Sequence, residues 1–259
     1  MSTFFETGHG KNAANFEDLI SFSTGYGTTY NPSQAAIKVT ALQTIHASAI
    51  AALTLTSSKN TTYKNATNAR EIAFEPLKRL ATRIANAFIS CGAKKQSIDD
   101  VQHFVRKIRG KAKRFKAGAE LAKAISTTDP PAADAPTTPP VTALSHSISQ
   151  QSFDSIIEHI ASLLDLLGAE TLYNPNEADL KVSALTTLLT DLKAKNTSVI
   201  NAYTALSNAR IARDKVLYTE GTGLVDIALE VKAYIKSVFG GTSPQYKQVS
   251  RLTFKNIKS

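Results

Sequence analysis

The sequence predicts an all-α protein: an internally duplicated helical bundle of two pseudo-equivalent three- to four-helix units joined by a Pro/Ala/Thr-rich linker. Three observations predict it. Apolar residues recur at steps of three and four along most of the chain, the spacing of one helical face. Alternating β-branched runs are scarce, so a major sheet is not expected. A stretch of fifteen residues near the start returns in the second half with nine positions unchanged.

The repeat sets the expected organisation. Residues 30–44 read YNPSQAAIKVTALQT and residues 173–187 read YNPNEADLKVSALTT, an offset of 143. Chance would leave roughly one identity, so the match marks a repeated unit. Tyr63, Asn68 and Arg70 recur as Tyr203, Asn208 and Arg210 at offset 140. Leu77, Leu80, Ile84, Phe88 and Cys91 pair with Leu224, Ile227, Val231, Ile235 and Val238 at offset 147. Val105 to Ile108 resembles Val249 to Leu252 at offset 144. The expected divisions are 1–125, a helical unit with a basic C-terminal segment; 126–150, a flexible linker; and 151–259, a second helical unit. Five of the nine prolines lie between Ser126 and His146, a segment too polar and irregular to bury a core.

Each element has a local reason. The second copy has a full lead-in helix from Phe153 to Gly168, and the first has a shorter one, Phe16 to Thr28. The Tyr-Asn-Pro triplet is expected to open a helix, with Asn as cap and Pro at the first helical position. Gln34 and Glu177 then complete a capping box. The first helix, Pro32 to Ser58, carries Ala35, Val39, Leu42, His46 and Ala49 on one face, matched by Ala178, Val182, Leu185, Leu189 and Leu192. A separate second helix carries Val199, Tyr203, Leu206, Ala209 and Val216. Pro76 and Gly221-Thr-Gly223 mark the breaks before the third helices, and Gly92 and Gly240-Gly241 close them. Lys111 to Ile125, rich in Ala and Lys, reads as one further short helix. His46 and Cys91 fall on core stripes and are read as structural.

The composition narrows function. One cysteine excludes a disulfide framework and a Cys-rich zinc module. The first residues lack the apolar core of a secretory signal, and no run of 18 uninterrupted apolar residues occurs, so a cytoplasmic protein without an integral membrane segment is the expectation. No phosphate-binding loop, His-Glu-x-x-His motif or nucleophile elbow appears. No catalytic, cofactor-binding or metal-binding residue is therefore assigned.

Charge is unevenly placed. The chain has 30 basic and 21 acidic residues, a net +9. Residues 1–125 hold 18 basic and 8 acidic residues, and residues 126–259 hold 12 and 13. Lys94, Lys95, Arg106, Lys107, Arg109, Lys111, Lys113, Arg114 and Lys116 form the densest cluster, with Phe104 and Phe115 among them. Such a cluster either solubilises a helix face or neutralises phosphates with salt-sensitive affinity. Lys78, Arg79 and Arg83 lie nearby. Tyr63, Asn68, Arg70 and Tyr203, Asn208, Arg210 are either packing anchors or equivalent interaction sites, one per copy.

The strings YNPNEADLKVSALTTLL, NAYTALSNARIARDKVLY, GTGLVDIALEVKAYIKSVFG and SPQYKQVSRLTF resemble a group of uncharacterised helical proteins from Bacteroidota-type bacteria. The resemblance covers residues 173–254 and implies a bacterial protein; it implies no activity, cofactor or site. Three functions follow in order: a non-enzymatic helical interaction or scaffold protein with a protein partner and a capacity to form homo-oligomers; a nucleic-acid or other polyanion binder acting through Lys94–Lys116; and an enzyme with an unrecognised site.

Overall fold

The computed structural model describes residues 4–110 and 151–257, with side chains from Gly8 onward. The protein is all-α, and no strand occurs among the described residues. The helices are α1 (Phe4–Gly25), α2 (Val39–Phe74), α3 (Leu77–Ser90), α4 (Lys95–Arg109), α5 (Phe153–Ala169), α6 (Val182–Tyr218), α7 (Leu224–Phe239) and α8 (Pro244–Ser250). The expected linker 126–150, the short helix from Lys111 and the cations Lys111, Lys113, Arg114 and Lys116 lie outside the described residues.

Three elements differ from expectation. The predicted first and second helices of each copy are one helix. No Gly or Pro interrupts Ser57 to Thr62 or Lys193 to Ser198, and polar residues alone do not stop a helix. At 1.5 Å per residue α2, with 36 residues, runs about 54 Å. The lead-in helix of the first copy is also longer than predicted, beginning at Phe4 and passing through Gly8 and Gly10.

The Tyr-Asn-Pro triplet, third, opens no helix. It sits in a loop ahead of a 3₁₀ turn, Ala35–Ile37 or Ala178–Leu180, and the α-helix starts only at Val39 or Val182. The tyrosine clasps this loop instead. Tyr30 Oη donates to the carbonyl of Ile37 at 2.6 Å, and Tyr173 Oη to that of Leu180 at 2.9 Å. Both rings are buried, which pushes both phenols up to about 12. Gln34 caps nothing; its amide donates to Glu230 at 2.8 Å. Glu177 makes no side-chain cap bond either.

The chain divides into two compact units that cut across the sequence copies. Unit 1 is Met1–Asn68 with Ser198–Ser259, and unit 2 is Ala69–Thr197. Because α2 and α6 are unbroken, the chain leaves unit 1 inside α2 and returns inside α6. Each unit thus combines part of both copies.

Unit 1 is built on α1 and α7. Ala13, Phe16, Leu19 and Ile20 form the buried stripe of α1, and Leu224, Ile227, Ala228, Val231 and Ile235 that of α7. Helical steps of three and four put each set on one face. The chain end, residues 251–257, lies along α1. Asn12 Nδ2 donates to the carbonyl of Lys255 at 2.7 Å and its Oδ1 accepts the Lys255 N–H at 3.1 Å, so one amide satisfies both backbone groups. Asn15 adds a bond to the carbonyl of Thr253. A Cβ at Gly8 would crowd the end of the Ile257 side chain, which packs closely over this turn of the helix. Tyr218 Oη lies 2.5 Å from His9 Nδ1 and 3.3 Å from Asn12 Nδ2 in the same buried layer.

Unit 2 packs α3, α4, α5 and the ends of α2 and α6 around Phe74, Phe88, Val101, Val105, Ile108, Leu163 and Leu167. Helix α5 is capped by Ser152, whose Oγ accepts the Ser155 N–H at 3.1 Å. Helix α4 ends at Gly110 with φ 72°, a left-handed cap that favours glycine.

Candidate functional site

Helices α3 and α4 belong to one antiparallel hairpin, turned at Cys91 to Lys94. That topology sets the C-terminal end of α4 beside the N-terminal end of α3. Lys78, Arg79, Thr82, Arg83 and Arg109 consequently line one open groove in unit 2. Among the described residues four cations and a hydroxyl bound it, and none of these lining residues is acidic. Lys78, Arg79 and Arg109 make no side-chain hydrogen bond or ion pair among the described residues. Arg83 is different: its guanidinium grips Asp179 through both nitrogens, the second at 3.1 Å. That pairing holds the Asp179 carboxyl below its ordinary range.

This placement runs against local helix electrostatics. The first turn of a helix carries the positive end of its dipole and favours acids, yet α3 has Lys78 and Arg79 there and no acid. Arg79 and Arg83 are also spaced i, i+4, where like charges repel. Local conflicts of this kind are characteristic of functional sites. An anion in the groove would relieve both.

The predicted basic cluster is therefore redistributed. Lys94 and Lys95 sit exposed at the start of α4, while Arg106, Lys107 and Arg109 occupy its last turn, about 17–20 Å away by helical rise. Lys107 lies over the Phe104 ring at 5.6 Å. Of the nine predicted cations, Arg109 joins the groove, whose other charges come from α3. Unit 2 is also polar in charge: residues 69–110 hold nine basic and four acidic residues, and residues 151–197 hold three and seven.

The Tyr-Asn-Arg residues do not gather. Tyr63 and Tyr203 pack against each other within unit 1 with tilted rings, centres 5.7 Å apart and planes at 56°. Asn68 and Asn208 are exposed, and Arg210 is half-buried. Arg70 is in unit 2, where it donates to Asn196 Oδ1 at 3.0 Å and lies over the Phe153 ring at 3.8 Å. Asn196 in turn donates to Asp154 at 2.7 Å. No sequence spacing foretells this Arg70–Asn196–Asp154 chain, since its members are far apart in sequence.

A second recess adjoins the groove. An open cleft of about 580 Å³ lies between α3 and the Tyr173 loop, lined by Arg83, Asn86, Ala87, Ser90, Cys91 and residues 172–177 with Leu180. Cys91 is half-buried at its edge, its thiol donating to the Phe88 carbonyl at 3.0 Å. His46 is half-buried on α2. Among the described residues no group of His, Cys, Asp and Glu is placed to hold a metal ion. No family model, curated protein or solved structure matches this chain.

Proposed function

We propose that this chain is a non-enzymatic helical binding protein that holds a phosphate-bearing polyanion in the α3–α4 groove of unit 2. The observation that carries this reading is the convergence of Lys78, Arg79, Arg83 and Arg109 on one groove with no acid among its described lining residues. Guanidinium groups bind phosphate bidentately and stay charged at any physiological pH, so Arg79 and Arg109, with Lys78 beside them, suit that ligand, while Arg83 is held by Asp179. The groove offers no base-reading motif, and its affinity is for backbone charge.

The test is fluorescence anisotropy with a labelled oligonucleotide at about 50 mM salt. The doubly reversed chain Arg79→Glu/Arg109→Glu should bind about 100-fold more weakly with unchanged helicity. Equal binding by the two proteins would remove the proposal.

A protein partner on the long helices is a second reading. Ile50, Leu55, Ile200 and Ile211 are large apolar side chains left exposed on α2 and α6. Val39–Ser90 also contains a window long and apolar enough to cross a membrane, of which only 17% is buried. Sedimentation of the chain over a range of concentration tests self-association; a monomer throughout, together with failure to recover a protein partner from native cells, would sink this reading.

A further inference from the structure

We infer that the cleft beside the groove receives a base of a single-stranded nucleic acid whose phosphates lie on the groove. The inference rests on the polyanion reading and names its ligand.

Three observations carry it. First, Arg83, held by Asp179, lines both recesses, so the groove and the cleft adjoin. Second, the cleft is open for a definite reason. The offset of 147 that pairs Leu77 with Leu224 pairs Ala87 with Tyr234. In unit 1 the Tyr234 ring packs edge-on against Tyr30, the loop clasp, at 5.3 Å and 88°. In unit 2 alanine stands at the corresponding position, and the clasp Tyr173 packs instead against Phe88, ring centres 5.7 Å apart at 37°; among the described residues the cleft beside Ala87 is lined by no other aromatic ring. A planar ring of the ligand fits where the protein supplies its own ring in unit 1.

Third, apart from the carboxylate of Glu177, the walls suit a base. Leu172 presents an apolar side chain that is 56% exposed at the rim. The amides of Asn86, Asn174 and Asn176 line the cleft and make no side-chain hydrogen bond among the described residues. Each amide offers both donors and an acceptor, matching the mixed edges of bases without selecting one. Single strands are generally bound by a basic track together with aromatic side chains on which bases stack, and Tyr173 is the aromatic side chain in the described lining of this cleft. A duplex keeps its bases stacked inside and cannot use the slot.

The experiment compares, on the full chain, a single-stranded oligonucleotide with an abasic strand of equal length and charge. The intact strand should bind about fivefold or more tightly, the order of one stacked base. Ala87→Tyr should bring the intact strand down to the abasic affinity and leave the abasic strand unchanged. Equal affinity of both strands for the native chain would overturn the inference while leaving the groove reading standing. Binding of neither strand would overturn both. The native-chain ratio decides the matter even if the tyrosine variant fails to fold.

Discussion

The two compact units use aligned residues for opposite ends. At the start of α7 in unit 1 stand Val225, Asp226, Leu229 and Glu230; at the start of α3 in unit 2 stand Lys78, Arg79, Thr82 and Arg83. In unit 1, Val225 is buried and Asp226 accepts the Gly221 N–H at 2.9 Å. An acid there is what the helix dipole favours. In unit 2 three of the four positions, Lys78, Arg79 and Arg83, are cationic and exposed. Even the tie between loop and helix is reversed: Gln34 donates to Glu230 in unit 1, whereas Asp179 accepts from Arg83 in unit 2. Thr253, aligned with Arg109, is part of the tail laid along α1. Unit 1 uses Val225, Asp226 and Glu230 within its own fold, whereas Lys78 and Arg79 of unit 2 make no side-chain hydrogen bond or ion pair among the described residues.

Several substitutions break or sharpen that comparison. The largest effects should be the same in both units, because each core is filled. Phe16→Ala and Phe88→Ala remove fully buried rings and should each cost about 3–5 kcal/mol in denaturant unfolding. A loss under about 1 kcal/mol at either site would show a core that is not close-packed there. Asn12→Ala acts on unit 1 only. It strands both backbone groups of Lys255 and should cost about 1–3 kcal/mol. Retained protection of the Lys255 amide in hydrogen exchange would contradict the tail's dependence on Asn12.

Tyr30→Phe and Tyr173→Phe should cost about 1 kcal/mol each, since each removes one hydrogen bond and keeps the ring. A large effect in one and none in the other would show that the clasp serves only one unit. Smaller still, Arg79→Asp should stabilise the chain by about 0.3–1 kcal/mol while weakening polyanion binding, because the site conflicts with the helix it sits on. A variant both less stable and weaker in binding would mean that Arg79 is structural.

One pH effect belongs to unit 2. Burial, with Lys107 nearby, lowers the His159 pKa. The folded state therefore resists protonation more than the unfolded chain. Its contribution to stability is whole above the unfolded value of about 6.5 and is lost as the pH falls through it. His159→Phe should flatten that part of the stability–pH curve; an unchanged curve would assign the slope to other groups.

Much of this fold is legible in the sequence. The breaks at Pro76 and Gly221–Gly223 and the stops at Gly92 and Gly240 fall where proline and glycine predict, because these residues act locally. The continuity of α2 was not legible: Ser-Ser-Lys-Asn-Thr-Thr resembles a loop by polarity, but nothing in it forbids a helix. The clasp by Tyr30 was hidden by Asn-Pro, which also signals a helix start. Lys78, Arg79 and Arg83 were visible as neighbours of the basic segment. Arg109, thirty residues beyond Arg79, joins them only through the α3–α4 hairpin, a tertiary fact that residue spacing does not encode. Nor could the cleft be foreseen, since it depends on what Ala87 lacks.

The most direct test of the central claim is the salt dependence of oligonucleotide binding to the native chain. Three or four phosphates neutralised by the groove should give a slope of about −2 to −3 in log K against log salt for a single strand. Reversal of Arg79 and Arg109 should flatten it by about 1.4. A native slope near zero, or one that the double reversal leaves unchanged, would contradict the assignment of the groove as the polyanion site.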